Sequence, residues 1–172
     1  MTPNHLTTIR LISGLAAAFA FAEGTNSGNI AGAVLFLISM LFDRADGELA
    51  RLSGKTSAFG HSYDLVTDSL CNSLLFVGIG FGLADQNPWA ISLGFIAGSA
   101  VSAILWLVLR SEAKEGQHAA ALGGNAGFDA DDAIAVVPLT VAAGYGLPLL
   151  YAAAIGAPAF ALYFFWRFRS NL

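Results

Sequence analysis

The sequence predicts an all-α integral membrane protein with six transmembrane helices, and three observations support that prediction. Hydrophobic residues make up 56% of the 172 residues, charged residues only 12%, and the mean hydropathy is +0.65. Such a composition falls outside the range of soluble globular domains. The apolar residues also gather into six stretches that could cross a bilayer. Finally, all eight basic residues can be placed on one side of those six stretches.

The six apolar stretches are separated by short polar or glycine-containing segments, as in a compact helical bundle. A spanning helix needs about 20 mostly apolar residues. The second and fifth stretches are shorter, so we expect helix 2 to run on past the hydrocarbon edge and helix 5 to begin early. The predicted spans are residues 8–22, 29–42, 63–84, 88–109, 133–145 and 148–168.

The basic residues predict the orientation, because cytoplasmic loops collect Lys and Arg. The connections AEGTNSG, ADQNPW and GYGLP on the opposite side contain none. Both termini are therefore predicted to be cytoplasmic, as is the polar connection between helices 4 and 5. Without repeats or low-complexity tracts, residues 1–172 are predicted to form a single membrane domain. A net charge of -4 and a pI near 5.1 give no reason to expect nucleic acid as a partner.

One charged stretch, DRADGELARLSGKTSAFGHSYDLVTD at residues 43–68, interrupts the apolar chain. On a helix, the positions three, four and seven after an aspartate lie on its face. The face of Asp43 therefore also carries Asp46, Gly47 and Ala50. Asp64 and Asp68 stand one turn apart on the next helix, so two facing helices would bring four carboxylates into one small volume.

Four carboxylates at a membrane boundary repel each other and are costly to desolvate, so they need compensating cations. Arg51 alone cannot balance them. Mg²⁺ and Mn²⁺ take oxygen ligands, and two ions bridged by carboxylates recur in phosphoryl chemistry. Gly47, Ala50 and Gly60 would let a nucleotide approach the backbone, and the Arg51 guanidinium could hold phosphate oxygens.

The same residues form a longer pattern, D-x-x-D-G-x-x-A-R, eight residues, then G-x-x-x-D-x-x-x-D, from Asp43 to Asp68. Its eight fixed positions within 26 residues resemble the complete signature of the CDP-alcohol phosphotransferases. The N-terminal TPNHLTTIR is similar to that family's PNxLTxxR segment before helix 1, and the six-helix layout is also similar. The resemblance thus covers most of the chain.

The resemblance implies a transfer reaction at the cytoplasmic face of a bacterial or archaeal inner membrane. A CDP-linked alcohol, often CDP-diacylglycerol, would give its phosphate-bearing group to an acceptor hydroxyl, and CMP would leave. The resemblance implies two Mg²⁺ or Mn²⁺ ions as cofactors and favours a homodimer. At the matching positions the resemblance implies the metal ligands Asp43, Asp46, Asp64 and Asp68, of which Asp68 is also the general base, and the nucleotide-binding residues Gly47, Ala50, Arg51 and Gly60.

Several further features admit two interpretations. Arg10 fits a contact with a lipid head group or phosphate as well as a simple topology anchor. The motif GFIAG at residues 94–98 could pack helix 4 within the bundle or across a dimer. Acidic residues before helix 5 are typical of helix capping. The alternative for these acidic residues, Asp129, Asp131 and Asp132, is contact with the acceptor or its phosphate. The basic residues Arg110 and Lys114 are the other candidates for such contacts.

The sequence is compatible with more than one donor and more than one acceptor. The segment LRSEAKEG lacks the basic RxRAE-like pattern of phosphatidylglycerol phosphate-forming members, which slightly favours a neutral or cationic acceptor. DLVTDSLCNS resembles the DxxxDSL segment of choline and ethanolamine phosphotransferases, so CDP-choline or CDP-ethanolamine is an alternative donor. A divalent-cation transporter is the alternative from another class. Acids at one edge beside an arginine, rather than at the midplane of paired repeats, favour the enzyme.

Overall fold

The computed structural model describes residues 3–53, 58–115 and 130–168, and these fold into helices joined by short turns, without a strand. This confirms the all-α class. The helices in these ranges are α1 Pro3–Ala22, α2 Asn26–Ser53, α3 Ala58–Gly82, α4 Ala90–Glu115, α5 Ala130–Ala142 and α6 Gly146–Phe168.

Helix boundaries follow the expectations for α2 and α5 and differ for α1. α2 continues through the acidic motif to Ser53, and α5 begins at Ala130, before the apolar stretch that predicted it. α1 begins at Pro3, so the PNxLTxxR segment forms its first turns instead of preceding the helix. Proline is tolerated in a first helical turn, where its missing N–H has no partner to lose. The helical start places Thr7 and Arg10 on one face.

Within the described residues, five helices are long and apolar enough to cross a membrane. α5, with 13 residues, is not among them; at 1.5 Å per residue it is only about 20 Å long. Large apolar side chains also cover the outside of the bundle: Phe19 is 76% exposed and Leu162 is 69% exposed. The candidate spans are Asn4–Ala22, Asn26–Leu49, Gly60–Gly82, Ala90–Leu107 and Gly146–Arg167.

Close helix packing holds the bundle together. α1 packs on α2 and α3, α3 packs on α4, and α4 packs on α6. Gly94 and Gly98 of α4 allow α4 to approach α3 closely, because a Cβ on Gly94 would lie 2.6 Å from the Phe76 carbonyl oxygen and one on Gly98 would lie 2.6 Å from that of Ser73. The GFIAG motif thus packs α4 within the bundle. The fully buried side chains of the core include Phe21, Phe36, Leu75, Ile79 and Leu150.

Tight turns at one end of the bundle bring the charged segments together at the other. Gly24, with φ of 67°, turns the chain between α1 and α2 and lies against Gly82 at the end of α3. The first half of α1, the last part of α2 and the first part of α3 therefore meet at the opposite end. The acidic motif lies there.

Candidate active site

Three of the four motif aspartates converge at this end of the bundle. Asp43 extends from α2, and Asp64 and Asp68 lie one turn apart on α3. One carboxylate oxygen of each lies within 4.8 Å of those of the other two. We call these residues the aspartate trio. Their side chains are 23%, 32% and 23% exposed, so the carboxylates are partly buried yet open to a ligand.

A helical backbone fixes this arrangement, because α2 does not end with its apolar stretch but continues through the acidic motif. The segment ELARL after the second aspartate consists of strong helix formers. α2 therefore stays helical to Ser53 and keeps Asp43 and Asp46 in helical register.

The Arg10 side chain lies among the trio. Its guanidinium forms ion pairs with all three carboxylates: Nη1 pairs with Asp43 and, at 3.3 Å, with Asp64, while Nη2 pairs with Asp68. Arg10 is only 5% exposed. The trio and Arg10 together carry a formal charge of -2, so Arg10 balances only one of the three negative charges.

Asp46 lies beside the trio and has a different partner. It is 4% exposed, and its Oδ2 accepts a hydrogen bond of 2.7 Å from Thr7 Oγ1 on α1. Its charge also acts on Arg10 and Asp64. The four carboxylates therefore share one region, with three converging on a common point and the fourth held by a hydroxyl.

The chemistry of the trio fits a hard divalent cation. All three ligands are carboxylate oxygens, the kind that Mg²⁺ and Mn²⁺ prefer, and no softer Cys or His ligand belongs to the group. The excess negative charge is partly desolvated, which makes a bound cation more favourable.

Gly47 leaves an open surface one position after Asp46. It is exposed, and a Cβ built on it would meet no described atom within 4 Å. Packing among the described residues therefore does not require a glycine here. A side chain on Gly47 would instead occupy space beside the carboxylates.

Comparison with known proteins identifies the family. Residues 1–167 match the family model described as CDP-alcohol phosphatidyltransferase. The chain belongs to this family. The predicted resemblance is thereby confirmed.

Two relatives within the CDP-alcohol phosphatidyltransferase family match only part of the chain. An archaetidylinositol phosphate synthase of Pyrococcus horikoshii is 33% identical over 82 residues, which cover 48% of this chain and 42% of that protein. A putative cardiolipin synthase of Mycobacterium bovis is 33% identical over 108 residues, 60% of this chain and 50% of that protein. The chain thus matches half or less of the length of these relatives.

Solved structures share the fold over nearly the whole chain. Crystal structures of a Mycobacterium tuberculosis phosphatidylinositol phosphate synthase, one with CDP-DAG bound and one in complex with manganese and citrate, align with a TM-score of 0.71 and 22% identity. The alignments cover 96% of this chain and 87% and 83% of those chains. The likeness shows that this chain and those synthases share one fold.

Other predicted residues are only partly described. Gly60 lies in the first turn of α3 and is half-buried. Ala50 and Arg51 belong to α2, but their side chains lie outside the described part of the structure. The same holds for Arg110 and Lys114 on α4 and for Asp131 and Asp132 on α5, while Asp129 lies outside the described residues altogether.

Sequence reasoning did not foresee the roles of Thr7 and Arg10. The sequence predicts a lipid or phosphate contact or a topology anchor for Arg10, whereas its guanidinium pairs with the trio inside the bundle. A signal was available: Thr7 and Arg10 are the fixed threonine and arginine of the PNxLTxxR segment. Their spacing of three residues places both on the face of α1 that meets α2 and α3.

Proposed function

We propose that this protein transfers the phosphate-bearing group of a CDP-alcohol, with CDP-diacylglycerol as donor, to an acceptor hydroxyl and releases CMP, in phospholipid biosynthesis. The observation that carries the proposal is the convergence of Asp43, Asp64 and Asp68, within 4.8 Å of one another, in a chain of the CDP-alcohol phosphatidyltransferase family. The three residues come from both halves of one motif. Their meeting is what a shared metal site requires.

The metal ligands in this proposal are the trio and Asp46. Two divalent ions, Mg²⁺ or Mn²⁺, would neutralise these carboxylates and supply charge stabilisation for the diphosphate and the leaving CMP. Asp46 is held by Thr7 on one oxygen, Oδ2, so its second oxygen is the one proposed for a ligand role.

Asp68 is the proposed general base. The acceptor oxygen attacks the phosphorus that carries the donor alcohol, forming a new P–O bond. The bond from that phosphorus to CMP breaks, and its electron pair leaves with CMP. The acceptor proton passes to the Asp68 carboxylate. Asp68 lies farther along α3 from the charged end than Asp64, where an acceptor could meet it.

The nucleotide would bind beside the trio. The open surface at Gly47 supports this proposal, because a diphosphate can approach a backbone that carries no side chain. Ala50 and Gly60 are proposed to extend that surface, and Arg51 to bind phosphate oxygens. Arg110, Lys114, Asp129, Asp131 and Asp132 are the proposed acceptor or phosphate contacts.

The donor is proposed from the relatives. The family name and the CDP-DAG-bound structure of a phosphatidylinositol phosphate synthase support CDP-diacylglycerol over CDP-choline or CDP-ethanolamine. The relatives' names include both an inositol phosphate lipid synthase and a putative cardiolipin synthase, so they do not select one acceptor.

For topology, we propose six spans, both termini in the cytoplasm and the site at the cytoplasmic face of a bacterial or archaeal inner membrane. Arg10 and Arg44 lie at the end of the bundle that carries the aspartate motif, and basic residues collect on the cytoplasmic side, which supports this orientation. Residues 1–172 are proposed to act as one domain, and as a homodimer. Because Gly94 and Gly98 face α3, a dimer would use other surfaces.

The test is acceptor-dependent CMP release by purified protein with Mg²⁺ or Mn²⁺. CDP-diacylglycerol is offered with serine, inositol, glycerol phosphate or inositol phosphate. Release with one acceptor would establish the reaction. If no CMP is released although CDP still binds, the proposed donor is contradicted, and CDP-choline or CDP-ethanolamine becomes the donor to test. If no CMP is released and CDP does not bind, the phosphotransferase is contradicted and a cation transporter is favoured.

A further inference from the structure

The positively charged guanidinium of Arg10 lies among the three carboxylates of the trio. The Arg10 guanidinium pairs with the carboxylates of Asp43, Asp64 and Asp68, the same three residues whose oxygens lie within 4.8 Å of one another. At 5% exposure, Arg10 is far more buried than a surface lysine or arginine usually is. Its position is that of a counterion for the trio.

Arg10 and a metal ion cannot share this position. A divalent cation binds carboxylate oxygens at about 2.0–2.6 Å. Three oxygens that converge to such distances leave no room for a planar guanidinium between them. The charges of the two cations would also repel each other across a partly desolvated space.

We propose that Arg10 is a built-in competitor of the metal: it holds the trio together in the metal-free protein and withdraws when a divalent ion binds. This inference rests on the proposed function, because it takes the trio to be a metal site. It assigns Arg10 a positioning role that adds to the roles of the carboxylates.

The surroundings of Arg10 suit a side chain that moves while its helix stays fixed. Ser39 Oγ on α2 donates a hydrogen bond of 2.9 Å to the Arg10 carbonyl oxygen, and Ser13 Oγ donates one of 3.0 Å. These bonds anchor the backbone. By contrast, the buried Nε of Arg10 has no hydrogen-bond partner in the described parts of the chain. The ion pairs with the trio, together with the nearby charge of Asp46, hold the guanidinium there.

The proposal predicts the sign of a change in metal affinity. If Arg10 merely kept the carboxylates in place, removing its charge would weaken metal binding. If Arg10 competes with the metal, the trio without it is a stronger cation site. Removal should also lower the stability of the metal-free protein, because three like charges then face each other.

The experiment is a Mn²⁺ titration of the full chain in detergent micelles, followed by electron paramagnetic resonance. Arg10→Gln is compared with wild type and with Arg167→Gln, which removes an equal charge from an exposed residue near the end of α6. We expect Arg10→Gln to bind Mn²⁺ about tenfold more tightly, since a unit charge in contact with the ligands is lost. Arg167→Gln should match wild type. In thermal unfolding, Mn²⁺ should raise the midpoint of Arg10→Gln more than that of wild type.

Arg10→Lys covers the case in which Arg10→Gln does not fold. A lysine keeps the charge, but its compact ammonium cannot span three carboxylates as a guanidinium does. We expect Arg10→Lys to bind Mn²⁺ more tightly than wild type. Equal or weaker Mn²⁺ binding in the folded variants, with wild type binding Mn²⁺ normally, would overturn the inference alone. Absence of Mn²⁺ binding in wild type would overturn the proposed metal site and this inference with it.

Discussion

The Thr7 hydroxyl on α1 donates a hydrogen bond of 2.7 Å to Asp46 on α2, and both side chains are buried. The two residues are 39 positions apart and belong to different sequence motifs. Their contact joins the PNxLTxxR segment to the aspartate motif. The N-terminal segment is therefore part of the site's construction.

Thr7→Val should destabilise the protein, because valine has nearly the same shape as threonine but lacks the hydroxyl that donates a hydrogen bond to the buried Asp46 carboxylate. A buried acceptor left without its donor costs about 1–3 kcal/mol. Thermal unfolding in detergent would show a lower midpoint. Thr7→Ser, which restores the hydroxyl, should recover most of the loss. An unchanged midpoint in Thr7→Val would contradict the importance of this bond.

Asp68→Asn should abolish turnover while sparing the fold and most CDP binding. A positioned general base contributes roughly 10²–10⁴-fold to a rate. An asparagine is nearly isosteric with aspartate, but its amide cannot take the proton from the hydroxyl group of the acceptor alcohol. CMP release measures the rate, and CDP binding and thermal unfolding serve as controls. Normal turnover in this variant would exclude Asp68 as the base.

Asp43→Ala should weaken metal binding and CDP-substrate binding together, because both depend on the same centre. Loss of a direct ligand should lower the metal affinity by at least the roughly 10- to 100-fold that is typical when a residue that only orients a ligand is removed. Mn²⁺ titrations with and without the CDP-alcohol measure both effects. Asp85→Asn is the matched control, since Asp85 is exposed in the turn between α3 and α4. Identical titration curves for Asp43→Ala and wild type would rule out Asp43 as a ligand.

Gly47→Ala should keep the fold intact and reduce CDP binding. The added methyl group meets no described atom, so its effect falls on a ligand in the open space. Gly94→Ala makes the contrast, because its Cβ would lie 2.6 Å from the Phe76 carbonyl oxygen and overpacking costs about 1–3 kcal/mol. Thermal unfolding and CDP binding should separate the two variants. Equal CDP binding in Gly47→Ala and wild type would contradict a nucleotide site there.

The helical fold was predictable because apolar stretches and their lengths reflect the bilayer directly. The extension of α2 into the acidic motif was also predictable, since its residues favour a helix. The spacing of Asp43, Asp46, Asp64 and Asp68 predicted a carboxylate cluster. It could not predict that Asp46 would turn toward Thr7, because that choice depends on how α1 packs against α2.

The position of Arg10 was not predictable from local pattern either. A single arginine near the start of an apolar helix is typical of a topology anchor. Only the packing of three helices, with Ser39 bonded to the Arg10 carbonyl, brings its guanidinium among the carboxylates. Long-range packing thus decided both details of the site that sequence reasoning missed.

The most direct test of the central claim is to locate Mn²⁺ by anomalous X-ray scattering in crystals of the protein grown with Mn²⁺ and a CDP-alcohol. The account predicts an anomalous peak among the carboxylates of Asp43, Asp64 and Asp68, next to the diphosphate. A peak elsewhere, or a diphosphate bound away from the aspartate trio, would contradict it.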